Sequence, residues 1–313
     1  MKNLSGIAMI ALLAMGCKKD EFDNIDFRQE MVGFVAAIGD YARDSLGITG
    51  FGIFPQNGEG LGSDQSYVLA VDGIGCEDIY YGYDADDEPT PAAVTTEMES
   101  ALEIFKNAGR LVMTVDYATT QANVDDAYQR SLDRQYVPYV TVRALDRIRD
   151  NLHAPDSSAS HDVVSWNDIG HFVYILQYQS FGNADSFVAA LANTYYDLAI
   201  IDYSFDGTDA ERFTPQQVSQ MKTKADGKRR KVIAYLSIGE AEDYRHYWQS
   251  GWEEGDPSFI YEENPDWPGN FKVTYWDPQW QAIIFGYVKK IVEGGFDGVY
   301  LDIIDAYEYF ENN

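Results

Sequence analysis

Five acidic residues each close a short apolar run: Glu77 after GIGC, Asp116 after VMTV, Asp202 after LAII, Glu240 after AYLSIG and Asp302 after GVYL. An ionised carboxylate inside a buried strand is costly unless something pairs with it or uses it. Acids at strand ends that open into one cleft are positioned for acid–base work. Singly, each is as well explained as a helix cap or a solvated loop residue. Five at equivalent positions favour a shared site. The run 298–305, GVYLDIID, carries a second acid, Asp305, which the same reasoning places as a cap of the following loop.

Other chemistries lack their residues. The four histidines, His153, His161, His171 and His246, show no paired metal-ligand spacing, and two lie in or beside a loop-like stretch. No glycine-rich phosphate loop and no Gly-x-Ser-x-Gly elbow occurs. Neither a metal nor a cofactor is expected. Apart from Cys17, near the N-terminus, Cys76 stands alone, so no internal disulfide is expected. Cys76 reads as a small buried hydrophobe.

The elements that must hold these acids alternate. Strand-like runs at 51–57, 73–82 (strand and loop), 111–117, 172–178, 198–203, 231–238, 271–276 and 298–305 are interleaved with helical periodicity at 27–46, 95–107, 124–134, 184–191, 214–227, 243–248 and 278–292. Residues 136–142 are extended, and Pro138 marks them as an edge or extra strand. Strand-then-helix repetition implies a parallel sheet with helices outside. About eight units suit a TIM-like (β/α)8 barrel, whose site lies at the C-terminal ends of the strands. A doubly wound sheet is the alternative. The series begins with a helix lacking its strand and ends with a strand lacking its helix. Residues 151–170, Pro- and Ser-rich, interrupt the pattern. This is the pattern of a circular permutation: residues 27–150 as the second half of a barrel, 151–170 joining the original termini, and 171–313 as the first half, in one domain. The helix missing after Asp305 is then 27–46.

The chain has 313 residues and a formal net charge of −28. That charge disfavours nucleic acid and anionic lipid surfaces and suits a cationic ligand. Residues 1–17 carry a short basic start, an apolar run too short to span a bilayer, and small residues before Cys17. The segment resembles a lipoprotein signal, which implies lipidation at Cys17 and an extracytoplasmic, outer-membrane protein with 18–26 as its tether. The following KKDE resembles the export tag of surface-exposed lipoproteins. Contact with membrane is then through the lipid anchor only.

Several long motifs, IIDYS, VIAYLSIGEAEDYR, YWDPQW and GFDGVYLDIIDAYEYF, resemble glycoside hydrolase family 114, the endo-α-1,4-polygalactosaminidase family. FGIFPQNGE, GIGCEDIYYGYDADDEPT and VMTVDYA resemble its later segments, here placed first. The resemblance implies a TIM-like barrel cleaving an α-1,4-linked, galactosamine-containing, cationic polysaccharide. By motif position its catalytic acids map onto Asp302 and Glu77. Glycosidases of this kind need two carboxylates across the scissile bond, and their separation sets retention or inversion. Substrate contacts are expected from Asp116, Asp202, Glu240 and Glu242, and from the faces of Tyr117, Tyr178, Tyr203, Tyr235, Trp276 and Tyr300. A surface lipoprotein that binds glycan without cleaving it is the competing reading.

Overall fold

The computed structural model describes residues 22, 24–149 and 153–312. The signal-like segment with Cys17, most of the tether and the first residues of the 151–170 connection lie outside them.

In chain order the elements are α1 (Phe27–Asp40), β1 (Gly52–Pro55), α2 (Gln65–Ala70), β2 (Gly73–Glu77), α3 (Ala92–Asn107), β3 (Leu111–Tyr117), α4 (Gln121–Asp133) and β4 (Val137–Thr141). Then follow β5 (Phe172–Ile175), α5 (Ala184–Ala192), β6 (Leu198–Ile201), α6 (Pro215–Met221), β7 (Lys231–Ser237), β8 (Glu240–Glu242), β9 (Ile260–Glu263), β10 (Asn270–Val273), α7 (Pro278–Gly294), β11 (Gly298–Asp302) and α8 (Ala306–Asn312). Helix starts follow local chemistry. Asp26 accepts the Gln29 N–H at α1, Thr214 and Gln217 form a capping box ahead of Pro215, and Asp277 caps α7 ahead of Pro278. Gly295 ends α7 in the left-handed conformation that glycine adopts without strain.

Two parallel sheets carry the fold, ordered β1-β11-β7-β6-β5 and β2-β3-β4. They meet where Gln56 bridges Gly75 in parallel, with Asn57 N donating to Gly75 O at 2.9 Å and Asp72 N to Ile53 O at 2.9 Å. At the other margin the Tyr139 ring of β4 lies 5.5 Å from that of Phe172 on β5. Beyond these strands Leu176 and Gln177 donate to Leu145 O. The five-stranded sheet is strongly curled. Its outer strands are β1 and β5, yet Tyr174 of β5 donates to the Gln56 side chain at 3.1 Å. A flat sheet would hold those strands roughly 19 Å apart.

Parallel register puts paired residues on the same side of the sheet, and sides alternate along each strand. The pairings Phe54↔Tyr300↔Tyr235 and Gly75↔Met113, with the Gln56–Gly75 bridge, gather one face. It carries Gln56, Glu77, Tyr117, Tyr174, Tyr235, Tyr300 and Asp302. Glycines on this face make room for large neighbours. A Cβ at Gly75 would lie 1.8 Å from the Tyr300 hydroxyl, and one at Gly73 2.7 Å from the Phe54 ring.

Four expectations change. Residues 243–248 form turns, not a helix, and 271–276 contribute β10 to a small antiparallel sheet, β8-β10-β9, instead of a parallel strand. Pro257, Pro265, Pro268 and Gly269 punctuate this excursion, which rises from the C-terminal end of β7. The chain ends in its own helix, α8, and α1 packs beside it. Phe27 stacks on Phe310 at 5.6 Å, and Arg28 Nε donates to Glu311 Oε1 at 2.8 Å. Among the described residues, the 153–170 stretch is not a loose tether. Trp166 packs on Phe54 at 4.9 Å, and Val163 N donates to Arg229 O at 3.0 Å. This stretch lies against the N-terminal ends of the strands. Pro138 sits in β4, an outer strand of its sheet, where a missing donor is tolerated.

The close approach at Gly75 yields a test. Gly75→Ala overpacks the Tyr300 contact and lowers stability by about 1–3 kcal/mol in urea unfolding. Combined with Tyr300→Leu, its cost is smaller than the sum of the two single changes, because both act on one contact.

Candidate active site

Glu77 ends β2 and Asp302 ends β11, with β1 between them. Each carboxylate is held by donors. Tyr117 donates its hydroxyl to Glu77 Oε1, and Gln56 donates its amide N–H to Glu77 Oε2. The Gln56 carbonyl in turn accepts from Tyr174, and this fixes which end of the amide faces the acid. Asn57 Oδ1 accepts the Glu77 N–H at 2.9 Å. Asp302 Oδ2 accepts from Tyr235 at 2.6 Å, and its Oδ1 accepts the Ile303 N–H at 2.8 Å.

The backbone turns in the same way after all three site residues. Asn57, Asp78 and Ile303, which follow Gln56, Glu77 and Asp302, have φ of 53°, 58° and 58°. For β-branched Ile303 that conformation costs about 1–3 kcal/mol, and it persists only where its surroundings demand it. Here it turns the Ile303 N–H onto the Asp302 carboxylate.

Burial raises both acids above the ordinary carboxylate range. Desolvation pushes Glu77 up to about 7, and the Tyr117 bond opposes the rise while the charge of Asp302 adds to it. Desolvation also raises Asp302, against the Tyr235 and Ile303 donors, which favour its charged form. Arg143 stacks on the Tyr117 ring at 4.0 Å and pairs with Asp78 at 2.8 Å, so Tyr117 is braced from outside the pair. The Tyr300 hydroxyl is buried without a partner, and its ring meets that of Tyr174 at 5.3 Å.

The remaining sequence candidates are engaged by other partners. Asp202 and Glu242 are both bound to Arg245, at 2.7 and 2.6 Å, and that guanidinium is only 4% exposed. Their charge is already compensated within the protein. Asp116 lies on the opposite side of β3 from Tyr117 and accepts the N–H groups of Tyr80 and Tyr81 at 2.6 and 2.8 Å. It organises the loop after β2. Tyr178 is buried among Phe187, Phe205 and Phe213, and its hydroxyl accepts the Asp202 N–H. Tyr203 packs on Tyr287 and donates to Asp209. Trp276 sits in an aromatic cluster with Phe22, Phe27 and Phe310. Glu240 accepts from Asn264 at 2.7 Å and lines a cavity beside Ile303. Asp305 lines the same cavity, exposed, and directly precedes α8. Gln56, Asn57 and Tyr174 were not anticipated. The signal available was their position in strand runs that share a side with Glu77 and Asp302. Among the described residues no group of three or more His, Cys, Asp or Glu is arranged to hold a metal ion.

Residues 173–313 match the family model described as glycoside-hydrolase family GH114. An uncharacterized protein of Methanocaldococcus jannaschii is 43% identical over 143 residues, 45% of this chain and 38% of that protein. An uncharacterized protein of Deinococcus radiodurans is 45% identical over 124 residues, 39% of this chain and 38% of its own length. One of Thermotoga maritima is 38% identical over 128 residues, 41% of this chain and 38% of its own length. The chain thus spans about two fifths of the curated relatives it matches. The matched segment contains β5 to α8, and with them Tyr235 and Asp302. Over residues 173–313, under half of its length, the chain is thus similar to glycoside-hydrolase family GH114.

Proposed function

We propose that the protein is an extracytoplasmic glycosidase in which Glu77 protonates the glycosidic oxygen and Asp302 serves as the charged partner. The observation that carries this is the placement of Glu77 and Asp302 on one face, at strand ends on either side of β1, each held by a tyrosine. Glycoside cleavage needs one carboxyl that keeps its proton and one that is ionised. Glu77, pushed up to about 7, keeps its proton near neutrality. Asp302 has two donors that favour the ionised form. The match of residues 173–313 to glycoside-hydrolase family GH114 supports glycosidase chemistry in general.

The finer reading is an endo-acting enzyme on an α-1,4-linked, galactosamine-containing polysaccharide. A net charge of −28 suits that cationic polymer. In this reading the two parallel sheets form one eight-stranded (β/α)8 barrel in circularly permuted order. The seams at Gln56–Gly75 and Tyr139–Phe172 and the contact of α1 with α8 support it. Lipidation at Cys17 would tether the enzyme to the outer membrane, facing glycan outside the cell.

The test is incubation of the purified chain with partially deacetylated galactosaminogalactan, following oligosaccharide release. Wild type cleaves; Glu77→Gln and Asp302→Asn each lose activity by ~10²–10⁴-fold. Binding without cleavage by wild type would instead mark a glycan-binding lipoprotein. Equal cleavage by both variants would overturn the assignment of the acids.

The pH profile gives an independent check. Activity declines as pH rises through about 7, as Glu77 loses its proton. Tyr117→Phe removes a donor that favours the charged carboxylate, so the decline moves to higher pH. The same raised value affects stability. The folded value of Glu77 exceeds the ordinary carboxylate value of about 4.3. Its contribution is therefore complete below about pH 4 and is lost as pH rises through about 7. Glu77→Gln flattens that part of the melting-temperature profile.

A further inference from the structure

Gln56 is anchored on both sides before its side chain begins. Its N–H donates to Leu301 O at 2.8 Å, and that of the next residue, Asn57, to Gly75 O at 2.9 Å, which ties the backbone to β11 and to β2. The residue is 4% exposed, and its side chain stretches between two partners on different strands. Tyr174 on β5, 118 residues away in sequence and itself buried, donates its hydroxyl to the Gln56 carbonyl at 3.1 Å. The Gln56 amide nitrogen donates to Glu77 Oε2, and Tyr117 donates to Oε1. Both oxygens of Glu77 thus receive a donor from the protein.

An amide has two ends, and they treat a carboxyl differently. The NH2 end only donates, so a neutral carboxyl facing it gains nothing by turning its own proton that way. The carbonyl end accepts. A protonated Glu77 facing the carbonyl would donate its proton to Gln56 and hold it there. The backbone anchors do not choose between the ends, because the amide still rotates about its last bond. Tyr174 does choose. Turning the amide over would withdraw the carbonyl from the Tyr174 hydroxyl and take from that buried proton its present acceptor, a costly loss away from water.

We propose that Tyr174 is a positioning residue that locks the Gln56 amide as a donor to Glu77, so that the proton of neutral Glu77 is kept off Gln56 and left free for the glycosidic oxygen. The value of this lock to catalysis rests on the reading of Glu77 as the acid; the lock itself does not. The titratable groups around Glu77 are Tyr117 on β3, Tyr174 on β5, Asp302 and Tyr300 on β11, Asp78 next to it and Arg143 beyond Tyr117. Of these, Tyr174 reaches it through Gln56.

NMR of the Glu77 carboxyl carbon in the intact chain, followed as pH is raised without substrate, tests the lock. In wild type the Gln56 side-chain NH2 signal moves with the same midpoint as Glu77, as a donor in contact must. That measurement decides the orientation of the amide even where a variant fails to fold. Tyr174→Phe frees the amide, the neutral carboxyl gains an acceptor, and the Glu77 midpoint rises by about one unit. In a Gln56→Met background, where there is no amide to turn, Tyr174→Phe adds no further shift. A Gln56 signal blind to Glu77, a midpoint unchanged by Tyr174→Phe, or a shift of equal size in the Gln56→Met background each overturns the lock. On a polymer that wild type cleaves, Tyr174→Phe lowers kcat about tenfold at pH values where Glu77 is protonated in both forms, with KM unchanged. An unchanged kcat there overturns its part in catalysis. The two readings separate: a lock found by NMR in a chain that cleaves nothing sustains this inference and removes the hydrolase reading, and a cleaving chain without the lock does the reverse.

Discussion

Two carboxylates on different strands can serve one bond only if the strand between them holds its register. Here that strand is β1. It pairs with β11 from Gly52↔Gly298 to Pro55↔Leu301, and just beyond its end Gln56 bridges Gly75 of β2. A slip of one residue would turn Asp302 or Glu77 to the far side of the sheet. Small residues keep the register tight. Gly298 admits the backbone of Gly52, and Gly75 admits the Tyr300 hydroxyl. Gln56 joins this geometry to the chemistry, because its side chain spans Tyr174 and Glu77.

Buried acids meet two fates in this protein. Where a cation is at hand, the ion pair becomes part of the architecture. Arg245 joins the end of β6 to β8 in this way, and Lys224 joins Asp197 to the backbone of the 153–170 stretch through His161 O. Where only neutral donors are at hand, desolvation dominates and the proton is held more tightly, as at Glu77 and Asp116, both pushed up to about 7. Glu77 is partly exposed at the end of β2, whereas Asp116 is fully buried against the loop it organises. The same physics therefore acts on the proposed proton donor in one place and on a structural anchor in the other.

Much of the architecture was legible along the chain. Apolar runs ending in acids marked β2, β3, β6, β7 and β11, and helical periodicity marked α6 and α7. The excursion at 238–277 was misread, since its proline and glycine turns carry no periodicity, and Arg245 is drawn to partners distant in sequence. The final helix α8 was hidden because it is only seven residues long and packs on α1, at the other end of the chain.

The sequence by itself determined the alternation of strands and helices, the pair Glu77 and Asp302 as the acids to watch, and the resemblance to glycoside hydrolase family 114. Tertiary structure alone decided which acids share a face. Asp116 and Tyr117 are neighbours, yet one faces a loop and the other meets Glu77. Asp202 shares the composition of a site residue, yet Arg245 compensates it. The reason is physical: side alternates with every residue, and a charge is free or neutralised according to what folds against it. Neither is visible until the partner strands are in register.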